Sequence, residues 1–164
     1  MTIAELTVRM IEYSKGNLHD ICHFMKVYGY AKTIGELEKL DRQTQDIVEA
    51  AALVHDIACP LCREKYGNTN GKHQEQESEP LVREFFRETG FPEPFIDRVC
   101  YLVSHHHSPD KVDGMDYQIL LEADYLVNAD ESHFSRENVE HTLHTMFKTQ
   151  AGTRMLRAVY LNEE

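Results

Sequence analysis

The chain has 164 residues, 41% hydrophobic and 27% charged, a balance that suits one globular domain long enough to bury a core. Lys and Arg number 17 against 28 Asp and Glu, so the net charge of −11 makes the surface repel long nucleic acid and anionic membrane. No apolar run reaches membrane-spanning length and Met1-Thr2-Ile3-Ala4-Glu5 lacks the form of a signal peptide, so a cytoplasmic protein is expected.

The periodicity predicts helices joined by loops, with no alternating strand. Thr2 and Glu5 have capping-box spacing and open a first helix carrying Leu6, Met10 and Ile11, which Gly16 and Asn17 break. A longer helix starts near Leu18 or Asp20, with Ile21, Phe24, Tyr28, Ala31, Ile34 and Leu37 as its apolar stripe. His23 and Val27 lie beside that stripe. Asp41 caps a third helix, whose apolar run from Ile47 to Val54 ends at His55-Asp56. From Cys59 to Lys72, Pro60, Gly67, Asn68, Asn70 and Gly71 predict an irregular loop carrying Arg63 and Lys65, read either as a lid or phosphate contact or as a solvated connector.

Helix returns near His73 and runs through Leu81, Val82, Phe85 and Phe86 to a stop at Gly90, with Pro80 expected to kink it or mark a break just before it. Pro92 and Pro94 start the next helix, which carries Phe95, Ile96, Val99, Leu102 and Val103 and delivers His105 and His106. A second loop covers Ser108 to Gly114. Tyr117, Leu120, Leu121, Asp124, Tyr125 and Val127 then fit a further amphipathic helix with Asp124 on its apolar side, and two C-terminal helices occupy about 135–161. One all-α domain spanning 1–164 follows.

Several of these positions call for chemistry. A buried aspartate needs a cationic partner, so an inward Asp124 requires either Arg or Lys, or a metal. Imidazole and carboxylate side by side at a helix end, as in His55-Asp56, suit Zn, Mn, Fe or Mg. Inward histidines on neighbouring helices favour the metal. Cys59-Pro60-Leu61-Cys62 has C-x-x-C spacing but no second such pair to complete a zinc knuckle, so reduced thiols are expected there.

His23-x-x-Lys26-Val27, the segment Ala51-Ala52-Leu53-Val54-His55-Asp56-Ile57-Ala58, and Asp124 within Ala-Asp-Tyr-Leu together resemble the HD-domain metal-dependent phosphohydrolase superfamily over roughly residues 18–128. The resemblance implies an HD-domain helical bundle with a divalent metal (Fe, Mn, Zn, Mg, Ni or Co) held by His23, His55, Asp56 and Asp124. It also implies hydrolysis of a small phosphorylated molecule such as a nucleotide by metal-activated water, with Asp56 and Asp124 in catalytic roles. His73, His105 and His106 resemble the extra ligands of dinuclear members, in which Asp56 bridges two ions. The alternative for His105 to His107 is a set of solvent-facing side chains at a loop edge.

Where many relatives continue the doublet as Ile-Gly-Lys, this chain has Ile57-Ala58-Cys59. The missing lysine leaves Lys26, Arg63, Lys65 or Lys111 to contact a phosphate. Two other functions fit the same ligands: a di-iron oxygenase on the HD fold, and a non-catalytic metal-binding regulatory module.

Overall fold

The structure, a computed structural model, describes residues 1–162, and among them every regular element is helical. The order is α1 (Ile3–Tyr13), α2 (Leu18–Leu37), α3 (Arg42–Val54), α4 (Cys59–Tyr66), α5 (Gly71–Phe86), α6 (Glu93–His105), α7 (Met115–Glu131), α8 (Arg136–Thr145) and α9 (Gln150–Leu156). A short 3-10 turn, Pro109–Lys111, precedes α7, and a π-helical turn, Arg157–Leu161, follows α9.

Local chemistry sets the helix starts. Glu5 N donates to Thr2 Oγ1 at 3.2 Å while Thr2 N donates to Glu5 Oε2 at 2.7 Å, a reciprocal capping box. Asn17 and Asp41 accept from the backbone N–H groups of Asp20 and Thr44 at the heads of α2 and α3. The predicted 59–72 loop is mostly helix. Pro60 falls in the first turn of α4, where a proline costs no helical hydrogen bond, and Gly67 ends that helix in the left-handed conformation at φ 68°. Pro80 lies inside α5, which continues through it and ends at Phe86, four residues before Gly90.

The core lies where α2, α3 and α7 pack together, with α6 also against α3. Val27, Ile34, Val48, Leu53, Leu120 and Leu126 are all fully or almost fully buried. Helix α7 is enclosed nearly all round rather than amphipathic, and its buried residues include Tyr117, Glu122 and Asp124. The buried Glu122 carboxylate is satisfied by Gln118 Nε2 at 2.7 Å, Lys148 N at 2.7 Å, Thr149 N at 3.0 Å and the Thr149 hydroxyl. This ties the C-terminal helices to the centre of the bundle. At the N-terminal end of α7, Arg98 makes paired hydrogen bonds to Asp113 and Asp116, fastening the 108–114 loop to α6.

Candidate metal centre

The packing of α2, α3 and α7 brings His23 of α2 and Asp124 of α7 to a common point, joined by His55, the C-cap of α3, and Asp56 just after it. His23 Nε2 lies 3.1 Å from His55 Nε2, 3.3 Å from Asp56 Oδ2 and 3.3 Å from Asp124 Oδ1. His55 Nε2 lies 3.5 Å from Asp56 Oδ2 and 3.4 Å from Asp124 Oδ1. His23, His55 and Asp124 are buried, while Asp56 stays partly open to a cleft of about 250 Å³.

Each imidazole is oriented from behind. His23 Nδ1 faces Glu131 Oε2 at 2.7 Å, and His55 Nδ1 faces the Ala52 carbonyl at 2.8 Å. Both contacts require an N–H on Nδ1, which turns the two Nε2 atoms inward, as lone-pair donors whenever the rings are neutral. Two nitrogen lone pairs and two carboxylate oxygens thus point at one another, and Asp124 Oδ1 is buried without a hydrogen-bond partner. Such a cluster repels itself unless positive charge sits among it, either a metal ion or protons on the imidazoles.

The spacing suits a divalent ion. Donors about 2.1 Å from a metal lie about 3.4 Å apart in a tetrahedron and about 3.0 Å apart along an octahedral edge. The observed 3.1–3.5 Å matches these spacings to within about 0.1 Å. Orientation of each ligating imidazole through its other nitrogen is also how metal-binding histidines are held.

Without an ion, protons balance the carboxylates. Burial lowers the pKa of His23, but the carboxylates of Asp124, Asp56 and Glu131 outweigh it and bring the ring to about 9. Burial opposes charge on His55 as well, and Asp56 and Asp124 raise it nonetheless. Asp124 and Asp56, which burial alone would push up, are held below the usual carboxylate range, Asp124 by His23 and His55 and Asp56 by His55 and His106.

A second group of donors adjoins the first. Asp56, His106 and His107 bring ligand atoms within 4.8 Å of one another, with His106 Nε2 3.6 Å from Asp56 Oδ1. His106 Nδ1 faces the Val103 carbonyl at 2.7 Å, and its Nε2 is buried and unpartnered. His107, which the sequence does not place among the expected ligands, packs its ring on His106 with centroids 3.9 Å apart.

His73 and His105 do not join either group. Successive helical residues turn by about 100°, so His105 and His106 cannot face the same side of α6. His105 instead bonds the Tyr101 carbonyl at 2.8 Å and stacks on the Tyr101 ring. His106 lies at the helix end, where the chain curls back toward Asp56. His73 stacks on Tyr66 at 3.9 Å and bonds Asn68 Oδ1 at 3.1 Å, bracing α5 against α4.

Of the proposed phosphate contacts, Arg63 lines the cleft, paired with Asp20. Lys26 bonds Glu131 Oε1 at 2.7 Å, so it is committed to the carboxylate that orients His23. Lys65 pairs with Glu77 between α4 and α5, and Lys111 borders a different depression beside His105 and Arg83, so neither reaches the centre. Cys59 lines the cleft, where burial and the neighbouring Asp56 push its thiol far above its ordinary pKa and keep it neutral. Glu131 went unnoticed in the sequence, although it stands two helical turns beyond Asp124 and hence on the same face of α7.

Among the described residues no helix is long and apolar enough to cross a membrane. A comparison with curated proteins finds no match. Among solved structures, a predicted HD superfamily hydrolase from an uncultured Thermotogales bacterium has a similar fold, with a TM-score of 0.70 and 22% identity over 97% of this chain and 85% of that one. The family model for the HD domain matches residues 20–136, a span that contains His23, His55-Asp56, Asp124 and Glu131. With that match over most of its length, the chain belongs to the HD-domain family.

Proposed function

We propose that this protein is a metal-dependent phosphohydrolase acting on a small phosphorylated molecule. The observation that carries the proposal is the meeting of His23 Nε2, His55 Nε2, Asp56 and Asp124, with Asp124 Oδ1 buried and unpartnered. Membership in the HD-domain family and the fold shared with a protein described as a predicted HD superfamily hydrolase support it.

His23, His55, Asp56 and Asp124 would hold the first ion, and Asp56, His106 and His107 a second. A divalent ion bound there supplies Lewis acidity toward a phosphoryl oxygen and lowers the pKa of water. The protein's own contributions are positional. Glu131 and the Ala52 carbonyl fix the His23 and His55 rings, and the Val103 carbonyl fixes His106. Asp56 and Asp124, with lowered pKa values, serve as acceptors that orient water rather than as proton stores. Arg63 stands at the cleft wall to meet a phosphate oxygen. Asp20, Asp56, Asp124 and Glu131 also line the cleft, so an anionic substrate depends on metal charge to enter.

Phosphate release from nucleotides and sugar phosphates, with the protein loaded in turn with Mn, Mg, Co, Ni and Fe, tests the proposal. Turnover with at least one metal is expected, and none across the panel overturns it. The sharing of Asp56 between the two donor groups also fits a second reading, a di-iron centre that activates oxygen. Two irons per chain with substrate-dependent oxygen uptake would support that reading over hydrolysis.

A further inference from the structure

Three of the four histidines at the candidate metal centre are held from behind. His23, His55 and His106 each set Nδ1 against an oxygen acceptor, supplied by Glu131, Ala52 and Val103 in turn. His107 differs. Its ring packs on His106 and against the start of α5, where a Cβ on Gly71 would lie 2.7 Å from His107 Cγ. Among the described residues no hydrogen bond reaches either nitrogen of that ring.

Across that contact lies an acceptor with nothing to accept. Gln74 stands one helical turn after Gly71, and side chains of an α-helix lean back toward its N-terminus. Its amide does so: Nε2 donates to the Thr69 carbonyl at 2.8 Å, which brings the amide alongside the turn that His107 packs on. The same bond assigns the amide, because only its NH2 end can meet a carbonyl, and Oε1 is the atom left over. Oε1 is buried and unpartnered, in a residue that lines the metal cleft together with Thr69 and His107. A buried acceptor left bare destabilises the fold, so its presence here calls for a donor.

We infer that Gln74 is a positioning residue for the second ion: its Oε1 accepts the ring N–H of His107 when the other nitrogen of that ring turns to the ion beside Asp56 and His106. This rests on the second donor group, Asp56, His106 and His107, proposed above. A neutral imidazole has one N–H and one lone pair, so an acceptor at one nitrogen commits the other to the metal. An uncharged amide suits the place, since Asp20, Asp56, Asp124 and Glu131 already line the cleft. Gly71 has its part too. Without a Cβ it leaves the His107 ring room between α5 and the ion.

Zinc titration of the metal-stripped protein, followed by elemental analysis and by NMR of nitrogen-labelled imidazoles, tests this without any turnover. Two zinc ions per chain are expected, and the second should bring a slowly exchanging ring N–H to His107. Its absence with two ions bound overturns the inference even if no variant folds. Gln74→Met removes the acceptor at similar volume and should weaken the second ion about 10–100-fold, with the first changed by about twofold or less. Unchanged binding of the second ion in Gln74→Met overturns the inference. Gln74→Glu can accept from His107 but cannot donate to Thr69, so it should keep the second ion. Equal loss in both variants would mean that Gln74 only braces the Thr69 turn, and the inference falls. In His107→Ala, adding Gln74→Met should cause no further loss, and a further loss would show Gln74 acting on the ion without His107. One zinc per chain in the unaltered protein overturns the inference and leaves a hydrolase with a single ion standing. Two zinc ions that depend on Gln74, with no phosphate release under any metal, would overturn the hydrolase alone.

Discussion

Glu131 accepts the Nδ1–H of His23 at 2.7 Å and so determines that Nε2 is the ring atom turned toward Asp124. Because Lys26 bonds the other oxygen of the same carboxylate, this orientation is anchored from two sides. Glu131→Ala should lower metal affinity by about 10–100-fold, the range typical for loss of such an orienting partner. Glu131→Gln, which still offers an oxygen acceptor, should lose less. Chelator competition with Mn²⁺ would measure both, and equal affinities in all three proteins would remove Glu131 from the site.

Proton uptake by His23 makes the metal-free protein pH-sensitive. Its folded pKa of about 9 exceeds the 6.5 of the free side chain, so the folded state binds the extra proton. The resulting stability is full below pH 6.5 and is lost as pH rises toward 9. The Tm of metal-free protein should therefore fall by a few degrees across that window, with the slope flattened by metal. Metal binding at pH 7 should release a proton, so calorimetry in buffers of different ionisation enthalpy should give different apparent heats.

Substitution of the two central ligands should separate charge from shape. His55→Ala empties a fully buried position and removes a donor, so elemental analysis should find the first ion lost. Asp124→Asn keeps the volume but removes the charge that balances His23 and His55, so it too should lose metal. It should also lower the apparent pKa of His23, as followed by imidazole NMR. Full metal content in His55→Ala would refute the ligand assignment.

Gly71→Ala offers a probe of the second donor group. Gly71 is the first residue of α5, and a Cβ there would lie 2.7 Å from His107 Cγ. The ring must swing away. Metal titration should then show the first ion bound with near-normal affinity and the second weakened at least tenfold.

Glu122 predicts a stability effect without a metal effect. Glu122→Ala leaves Lys148 N, Thr149 N and the Thr149 hydroxyl without their acceptor. The cost should be about 2–4 kcal/mol, or roughly 5–15 °C in Tm. Metal affinity below that temperature should change less than in Glu131→Ala.

The residues at the centre were legible where side-chain direction follows from helix phase alone. His23 and Asp124 stand beside apolar stripes, and His55-Asp56 ends a run of Ala and Val, so burial could be read directly from the sequence. The choice among His105, His106 and His107 was not legible in this way. It depends on where α6 stops and the chain turns back, which the Tyr101 and Val103 carbonyls settle by binding His105 and His106 on different sides. The 59–72 segment misled because Pro60 reads as a breaker when its register is unknown, although in the first turn it starts a helix. Glu131 was overlooked because Asn128, Asp130 and Glu131 together look like a solvated helix end. Its distance of seven residues from Asp124 was the available clue.

His55 and Asp56 reach their different neighbours from one tight bend, in which Ile57 N bonds the Val54 carbonyl at 3.0 Å and Cys59 N bonds the Asp56 carbonyl at 2.9 Å. An inserted or deleted residue there would rotate both side chains together and dismantle both donor groups at once. The Ser132–Ser135 link between α7 and α8 carries no such burden. Divergence among homologues should therefore accumulate at that link while the reactive chemistry stays put.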